Sequence, residues 1–247
     1  ALPISYMPTL LIFDMDGTLT QPRSRIDDHF KEYLKTVSKT VDMCVVSGSD
    51  LKKIKEQLGD DVFEYFKYVC CENGTVTYKH GKLIKKCDLR DAIGQHEYNQ
   101  LINYVLTFMS KLDIPIKTGT FIELRTATLN ITPLGRNYTP DERDQFVKYE
   151  KEHHIREKLI KELKEKFPEV KMRYALGGQT GIDCYPEGWD KTFSLQFFTG
   201  YSTIHFFGDR TWEGGNDYQI ARHPMVTHVH AISGPDEVAE ILHTLLK

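Results

Sequence analysis

The sequence predicts an α/β protein in which a doubly wound, mainly parallel sheet carries an inserted α+β domain. Short apolar runs of strand length occur at residues 9–13, 43–46, 203–207 and 225–229, and they suit strands that are covered on both faces. Helical patterns separate these runs, and strands that alternate with helices form parallel sheets. Ligands of such sheets bind beyond the carboxyl ends of the strands, so we expect functional side chains directly after the runs.

Apolar side chains that recur every three or four residues predict the helices between these strands. The first helix follows Asp27 and Asp28, because negative charge favours a helix start. A second follows Ser49, and a third closes the sequence. The apolar positions of the three helices are Phe30, Leu34 and Val37; Leu51, Ile54 and Leu58; and Val238, Ile241, Leu242 and Leu245.

The middle of the chain has a different pattern. Residues 117–133 are rich in threonine and have apolar residues at alternating positions. This pattern predicts antiparallel strands with one solvated face. Thr139, Pro140 and Glu142 then form a helix-start signal, and we expect one long helix behind it, with an apolar stripe at Ile155, Leu159, Leu163 and Phe167. We expect a core of residues 1–83 and 190–247 and an inserted cap domain of residues 84–189. Met7 is interpreted as the natural start.

Composition and charge exclude several classes of function. The net charge of −3 and the pI near 6.4 give no basic field for a nucleic acid, so phosphate binding needs locally placed cations. The five cysteines are odd in number and none of them forms a C-x-x-C pair, so the sequence predicts neither a disulfide framework nor a zinc site. We therefore expect the protein in the reducing environment of the cytoplasm. Apolar runs fall short of the roughly 20 residues that span a bilayer, so we expect no membrane partner.

The strongest chemical signal is the segment from Asp14 to Thr18, DMDGT, directly after the first apolar run. Two acids two residues apart project to the same side of an extended chain, where both can meet one divalent ion or one reacting phosphate. Asp209 follows another strand and can supply a further ligand to Mg²⁺. A calcium loop is disfavoured because its twelfth position, a bidentate glutamate, is Arg25 here.

Further residues in the same order complete this pattern. Ser47 adds a hydroxyl donor after its strand, and Lys191 can balance the charge of a transferring phosphoryl group. FGD at 207–209 and GND at 215–217 follow. The order of these four motifs resembles the haloacid dehalogenase superfamily, whose members attack phosphate with an aspartate.

A closer resemblance covers nearly the whole chain from Thr9. The sequence is similar to the eukaryotic phosphomannomutase family at residues 121–125 (FIELR), 129–136 (LNITPLGR), 177–179 (GGQ), 183–191 (DCYPEGWDK) and 206–211 (FFGDRT). This resemblance implies interconversion of mannose 6-phosphate and mannose 1-phosphate, with a hexose 1,6-bisphosphate as activator and intermediate. It also implies supply of GDP-mannose synthesis in the cytoplasm and a homodimer formed through the cap domains.

The resemblance further implies roles for individual residues. Asp14 matches the nucleophile and Asp16 the general acid/base, and the magnesium ligands are Asp14, Asp16 through its carbonyl, and Asp209. The sugar-phosphate positions are Arg23, Arg125, Arg136, Arg143 and Asp183. Two positions depart from the family pattern: Gly181 replaces a substrate-contacting serine, and His223 replaces an acid of a second cation site.

Alternative interpretations stay open at this point. A Mg²⁺-dependent sugar-phosphate phosphatase would use the same fold, with water in place of the second sugar hydroxyl. A catalytically inactive binding module is disfavoured by the intact acids and Lys191. His228 and His230 could pair as metal ligands, but ordinary packing is the simpler reading without a third ligand. The preference between mannose and glucose also stays open.

Overall fold

The computed structural model describes residues 8–246, and its chain forms two compact units. The core unit consists of the residues up to Lys86 together with those from Gly188 onward, and the inserted unit is Cys87–Glu187. Our expected boundaries were near Ile84 and Trp189. The start expected at Met7 lies outside the described residues.

The core unit contains a seven-stranded sheet in the order β11-β10-β1-β2-β3-β4-β5. The strands from β11 to β3 in this order run parallel, and β4 and β5 continue the sheet antiparallel. The predicted α/β class is therefore confirmed. The strands are β1 Thr9–Phe13, β2 Asp42–Val46, β3 Tyr68–Cys71, β4 Val76–Lys79, β5 Lys82–Lys86, β10 Thr203–Gly208 and β11 His228–Ala231; the helices are α1 Asp28–Val37, α2 Leu51–Leu58, α3 Val62–Tyr65, α8 Tyr218–Ala221 and α9 Pro235–Leu245.

Alternate residues of the central strands belong to two apolar clusters, one on each face of this sheet. Leu11 and Phe13 of β1 pack into a cluster with the apolar faces of α1, α2 and α9. Leu10 and Ile12 of β1 belong to the second cluster, which also contains Ile220 of α8. Because the parallel strands β1, β2, β3 and β10 are buried on both sides, their sequences are continuous apolar runs rather than alternating ones.

Two helices of the core unit begin at an aspartate whose side chain caps the first turn. Asp27 accepts the N–H of Phe30 at 3.0 Å and caps α1, as the sequence predicts. Asp50, one residue after Ser49, accepts the N–H of Lys53 at 2.8 Å and caps α2. Side-chain oxygens at this position satisfy amide groups that have no partner inside the helix.

The last predicted strand was placed too early in the sequence. Residues 225–229 were expected as a strand that is buried on both faces, but β11 begins at His228 and is largely exposed. The N–H of Val226 donates to the carbonyl of His223 at 2.9 Å and forms a turn. Met225 and Val226 pack against the apolar cluster from this turn, which explains why the apolar run begins before the strand.

The inserted unit has an antiparallel sheet in the order β6-β7-β9-β8, which confirms the expected α+β class of this part. Leu129, Ile131, Ile182 and Cys184 cover one face of the sheet and pack against helices. The strands are β6 Ile122–Leu124, β7 Leu129–Ile131, β8 Met172–Gly177 and β9 Gly181–Pro186; the helices are α4 Leu89–Ile93, α5 Gln95–Lys111, α6 Pro140–His153 and α7 Ile155–Lys166.

The long helix predicted behind Thr139 is in fact two helices, α6 and α7. Its start is correct, because Thr139 and Glu142 form the expected capping box. The chain then breaks at His154, which has a left-handed backbone with φ +49°. The buried carboxylate of Glu150 accepts the N–H groups of Ile155 at 3.0 Å and Arg156 at 3.1 Å, so a side chain replaces the helical carbonyls at the break.

A buried ion pair completes this junction. Arg156 Nε donates to Glu150 Oε1 at 2.8 Å, and Arg156 Nη1 donates to the carbonyls of Gly178 at 3.3 Å and Gly181 at 3.2 Å. The arginine therefore ties the helix break to the β8–β9 hairpin. None of the helices within residues 8–246 is long and apolar enough to span a membrane.

Three histidines stack at the β10–β11 edge of the core sheet. The rings of His205 and His228 are stacked with centroids 4.4 Å apart, and His205 Nδ1 lies 3.0 Å from His230 Nε2. Burial, followed by the charges of His228 and His230, lowers the pKa of His205 to about 4. Within residues 8–246, a cluster of three or more potential metal ligands occurs at aspartates, and these histidines contact one another through stacked rings.

This stack makes stability depend on pH. The pKa of His205 in the folded chain, about 4, lies below its ordinary value of 6.5, so the unfolded chain binds the proton more tightly. The free energy of unfolding should therefore fall as the pH drops from about 6.5 to about 4. Across this range, the free energy of unfolding of His205→Gln should fall by about 1–3 kcal/mol less than that of the wild type.

Thermal unfolding at a series of pH values measures this difference. His29→Gln, which removes an exposed histidine from α1, is the matched control and should follow the wild type. Parallel curves for the wild type and His205→Gln would contradict the assignment.

Candidate active site

The predicted nucleophile, Asp14, directly follows β1 at the carboxyl end of the core sheet. Its N–H donates to the carbonyl of Phe207 in β10 at 2.9 Å, which continues the parallel pairing one residue past the strand. The side chain is buried, and Thr18 Oγ1 donates to Asp14 Oδ2 at 3.4 Å. One carboxylate oxygen is thus oriented by a hydroxyl within the same loop.

The other oxygen of Asp14 binds Lys191, which starts a 3₁₀ helix at Lys191–Phe197. Lys191 Nζ also donates to Asp217 Oδ1 at 2.6 Å, and all three side chains are buried. Asp217 in turn accepts the N–H of Arg210 at 3.2 Å through Oδ2. A buried ammonium therefore joins three segments that are far apart in the sequence.

Burial sets the ionisation of this group. Burial raises the pKa of Asp14 to about 7; the Lys191 charge opposes this rise, and the Asp217 charge adds to it. Burial alone would lower the pKa of Lys191, but Asp14 and Asp217 raise it above its ordinary value. Lys191 therefore stays charged at neutral pH and favours the ionised form of Asp14.

Asp209 brings a third carboxylate to the same place. One carboxylate oxygen each of Asp14, Asp209 and Asp217 lies within 4.8 Å of the other two. Gly17, with φ +83°, permits this approach, because a Cβ at Gly17 would collide with the Asp209 carboxylate. Burial and the Asp217 charge raise the pKa of Asp209, while Arg210 and Lys191 partly oppose the rise.

These residues fit a hard divalent cation. Three carboxylates face one ammonium, which leaves an excess of negative charge in a site that is largely shielded from water. Carboxylate oxygens are the ligands that Mg²⁺ prefers. Burial is the first cause of the raised pKa values of Asp14 and Asp209, and the negative charge of Asp217 adds to both.

Asp16 has a different environment from Asp14. Its carboxylate is half-buried and accepts the N–H of Arg23 at 2.8 Å. Arg23 is exposed and has a left-handed backbone with φ +62°. One oxygen of the Asp16 side chain is thus held by a loop and the side chain stays partly accessible, whereas Asp14 is buried against the lysine.

Ser47 lies at the end of β2, held by a strained turn that follows β3. The Ser47 carbonyl accepts the N–H of Asn73 at 2.8 Å, and the Ser49 carbonyl accepts the N–H of Glu72 at 2.9 Å. Residues 72–74 all have positive φ, including the non-glycine residues Glu72 and Asn73. Asn73 Nδ2 also donates to the carbonyl of Trp189, two residues before Lys191, at 3.1 Å. The turn at residues 72–74 therefore holds both the segment after β2 that contains Ser47 and the segment that directly precedes Lys191.

In the inserted unit, the predicted phosphate-binding residues lie along a polar row. Glu123, Asn130 and Asp183 are direct cross-strand neighbours in β6, β7 and β9. Asn130 Nδ2 donates to Asp183 Oδ1 at 2.7 Å, and Arg136 Nη2 donates to Asn130 Oδ1 at 2.6 Å. Arg125 Nη1 lies 4.0 Å from Asp183 Oδ1. The row thus connects Arg125, Arg136 and Asp183.

The two remaining predicted positions of this unit have separate contacts. Arg143 lies in the first turn of α6, and its Nε and Nη2 donate to Asp144 at 3.0 and 2.9 Å. Gly181 is buried, and a Cβ there would lie 3.0 Å from Asn130 Nδ2. The glycine at this position therefore leaves room for the amide that binds Asp183.

Sequence reasoning missed three residues that the structure brings into these groups: Asp217, Glu123 and Asn130. Asp217 stands in the GND segment, but no role was assigned to it; the acid after Gly-Asn was the available signal, and the structure shows that its side chain is buried. Glu123 and Asn130 lie inside segments that carry the resemblance. Alternation along β6 and β7 places them on the same face as Arg125, which could have identified them.

The carboxylate cluster predicts stabilisation by magnesium. Mg²⁺ at ten times its dissociation constant should add about 1.4 kcal/mol, which corresponds to about 2–4 °C in melting temperature. Asp209→Asn should lose most of this increase, because it removes one charged ligand. Asp60→Asn, at an acid whose side chain is 97% exposed, is the control for charge and should keep the increase. Equal magnesium responses in all three proteins would exclude this site.

Comparison with known proteins identifies the family. The family model for eukaryotic phosphomannomutase matches residues 30–247. A phosphomannomutase of Dendrobium officinale is 46% identical over 98% of this chain and 96% of its own length. Phosphomannomutase 1 of Dictyostelium discoideum is 43% identical over 96% of each chain, and the Arabidopsis thaliana phosphomannomutase is 45% identical over 92% of each.

Solved structures show the same fold at low identity. A haloacid dehalogenase-like hydrolase from Bacteroides thetaiotaomicron superposes with a TM-score of 0.61 at 16% identity, over 96% of this chain and 99% of that one. Plasmodium falciparum IMP-nucleotidase gives a TM-score of 0.64 at 17% identity, over 97% of this chain and 68% of that one. With the fold and nearly full-length similarity in agreement, this chain belongs to the eukaryotic phosphomannomutase family and is an enzyme of the mutase type.

Proposed function

We propose that this enzyme interconverts mannose 6-phosphate and mannose 1-phosphate through a phosphorylated Asp14, with a hexose 1,6-bisphosphate as activator and intermediate. The observation that carries the proposal is the buried contact of Asp14 with Lys191 at the end of β1. The family supports mannose phosphates as the substrates. We further propose that the product supplies GDP-mannose synthesis in the cytoplasm and that the enzyme works as a homodimer through its inserted unit.

The first half-reaction transfers a phosphoryl group from the bisphosphate to Asp14. The Asp14 carboxylate oxygen forms a bond to phosphorus, and the bond from phosphorus to the sugar oxygen breaks. Asp16 donates a proton to the departing sugar oxygen, so the sugar leaves as an alcohol. The half-buried position of the Asp16 side chain supports this role, because a group that exchanges protons with substrate needs an accessible oxygen.

Charge balance is the main task of the remaining core residues. Lys191 offsets charge on the reacting oxygens, and Asp217 keeps the ammonium in position. Ser47 can donate its hydroxyl to a phosphoryl oxygen. Magnesium bound by Asp14, Asp209 and the Asp16 carbonyl would offset the repulsion between the carboxylate and the phosphoryl group.

The second half-reaction returns the phosphoryl group from Asp14 to a sugar monophosphate that is bound with its free hydroxyl towards Asp14. That hydroxyl attacks phosphorus, Asp16 accepts its proton, and the bond between phosphorus and the Asp14 oxygen breaks, which forms the bisphosphate. The bisphosphate then turns around, so that Asp14 next takes its other phosphoryl group and the isomerised monophosphate is released. Arg125, Arg136 and Arg143, with Arg23, Asp183 and the Gly181 backbone, are proposed to bind the phosphate and sugar that do not react. Arginine forks suit this task because they bind phosphate oxygens bidentately.

One assay separates this function from a sugar-phosphate phosphatase. The protein is incubated with mannose 1-phosphate, a trace of glucose 1,6-bisphosphate and Mg²⁺, and both mannose 6-phosphate and free phosphate are measured. A mutase gives mainly isomerised sugar. Release of mainly free phosphate would establish the phosphatase instead, and replacement by glucose 1-phosphate would measure the sugar preference.

Asp14→Asn tests the nucleophile. The substitution keeps the shape of the side chain but removes the attacking charge, so isomerisation and phosphate release should both fall by at least about 10³-fold. A circular dichroism spectrum like that of the wild type shows that the fold survives. Substantial remaining activity in this variant would rule out a phosphorylated Asp14.

Arg143→Ala tests the proposed binding of the non-reacting phosphate. Loss of one charge-assisted partner typically costs about 1.5–3 kcal/mol, so the KM for substrate and activator should rise about tenfold or more. Weaker retention of the sugar should let water reach phosphorylated Asp14 more often, so the ratio of free phosphate to isomerised sugar should increase. Lys148→Ala, in the same helix, is the matched control. An unchanged ratio in Arg143→Ala would remove the basis for this role.

A further inference from the structure

Two of the proposed phosphate-binding arginines bind the same carboxylate oxygen of the protein itself. Arg125 Nε donates to Glu123 Oε2 at 3.2 Å, and Arg136 Nη2 lies 2.9 Å from that oxygen. An oxygen shared between two guanidinium groups reproduces the contact that a phosphate oxygen would make. Glu123 Oε2 therefore lies at a point where one oxyanion can contact both guanidinium groups.

The exposure of these side chains distinguishes them from a structural ion pair. The inserted unit also contains Glu150 and Arg156, whose side chains are 6% and 11% exposed and which hold the break between α6 and α7. Glu123, Arg125 and Arg136 are 39%, 24% and 31% exposed. Ion pairs in contact with water contribute little to stability, so an incoming dianion can replace Glu123 at low cost.

The charges of the polar row point to the same conclusion. Glu123 and Asp183 balance Arg125 and Arg136, so the row has no excess positive charge before a ligand binds. A phosphate dianion must therefore either displace the Glu123 carboxylate or tolerate it nearby. In both cases Glu123 lowers the free energy gained when phosphate binds.

We infer that Glu123 is an internal competitor of the substrate phosphate, which weakens phosphate binding at Arg125 and Arg136 and accelerates phosphate release. The inference rests on the proposed function, since it takes these arginines as the phosphate site. A mutase gains from such a residue, because its bisphosphate intermediate must leave one orientation before it reacts in the other. An arginine site without the competitor would hold the intermediate too long.

Glu123→Gln tests this inference. Glutamine keeps the size and one acceptor oxygen, so it can still orient an arginine, but it lacks the charge that competes with phosphate. We expect the dissociation constant for inorganic phosphate to fall about three- to tenfold. The constant is measured in a magnesium-free NMR titration of the full chain, followed at the Nε–H signals of Arg125 and Arg136, so that binding elsewhere does not contribute.

Two further variants complete the experiment. Glu165→Gln removes an exposed negative charge from α7 of the same unit and should leave the constant within about twofold of the wild type. Glu123→Asp shortens the side chain by one methylene and so moves the carboxylate away from the arginines. It should also lower the dissociation constant for inorganic phosphate. This variant tests the inference even if Glu123→Gln does not fold. Unchanged or weaker phosphate binding in a folded Glu123 variant would show that Glu123 merely positions the arginines, and would overturn the inference.

Turnover provides the second measurement. In Glu123→Gln, KM and kcat should fall together, because tighter binding and slower release have the same cause. A KM that rises while kcat is unchanged would contradict competition. Tighter phosphate binding in a protein that releases only free phosphate would refute the mutase proposal but leave the competitor intact, so the two outcomes are distinguishable.

Discussion

The contact of Lys191 with Asp14 and Asp217 is the interaction on which the catalytic end of the core depends. A buried ammonium is costly unless carboxylates surround it, and each of these two acids is equally costly without the lysine. Removing one member of a buried ionic group typically costs about 3–5 kcal/mol, because a charge is left without a partner. The same group, which contains the proposed nucleophile Asp14, thus holds β1, the 3₁₀ helix at Lys191–Phe197 and the loop before α8 together.

The Lys191 group of the core unit and the polar row of the inserted unit use charge in different ways. The side chains of Lys191, Asp14 and Asp217 are nearly dry, so their electrostatic interactions are strong and their positions are fixed. In the inserted unit the arginines of the polar row remain in contact with water and are paired with exchangeable acids. Fixed charges suit the bond-making step, whereas exchangeable charges suit a substrate that must be bound, released and bound again.

Much of this arrangement could be predicted from sequence because it depends on local patterns. Continuous apolar runs located β1 and β10, and the acids after those runs located Asp14 and Asp209. The break at His154 could not be predicted, because its cause is a buried Glu150 that caps the second helix, and burial depends on tertiary packing. The role of Asp217 was missed for a similar reason: its partner Lys191 lies 26 residues away, and no local rule couples them.

The sequence separation of Asp14 and Lys191 has a consequence for biosynthesis. The two residues are 177 positions apart, and the whole inserted unit lies between them in the chain. At a synthesis rate of about 5–20 residues per second, roughly 9–35 seconds pass between their additions to the growing chain. During that interval β1 exists without its lysine, without Asp209 and without its neighbour β10. The apolar strand β1 is then an unpaired edge, so the nascent chain is most prone to aggregation while the inserted unit is being made.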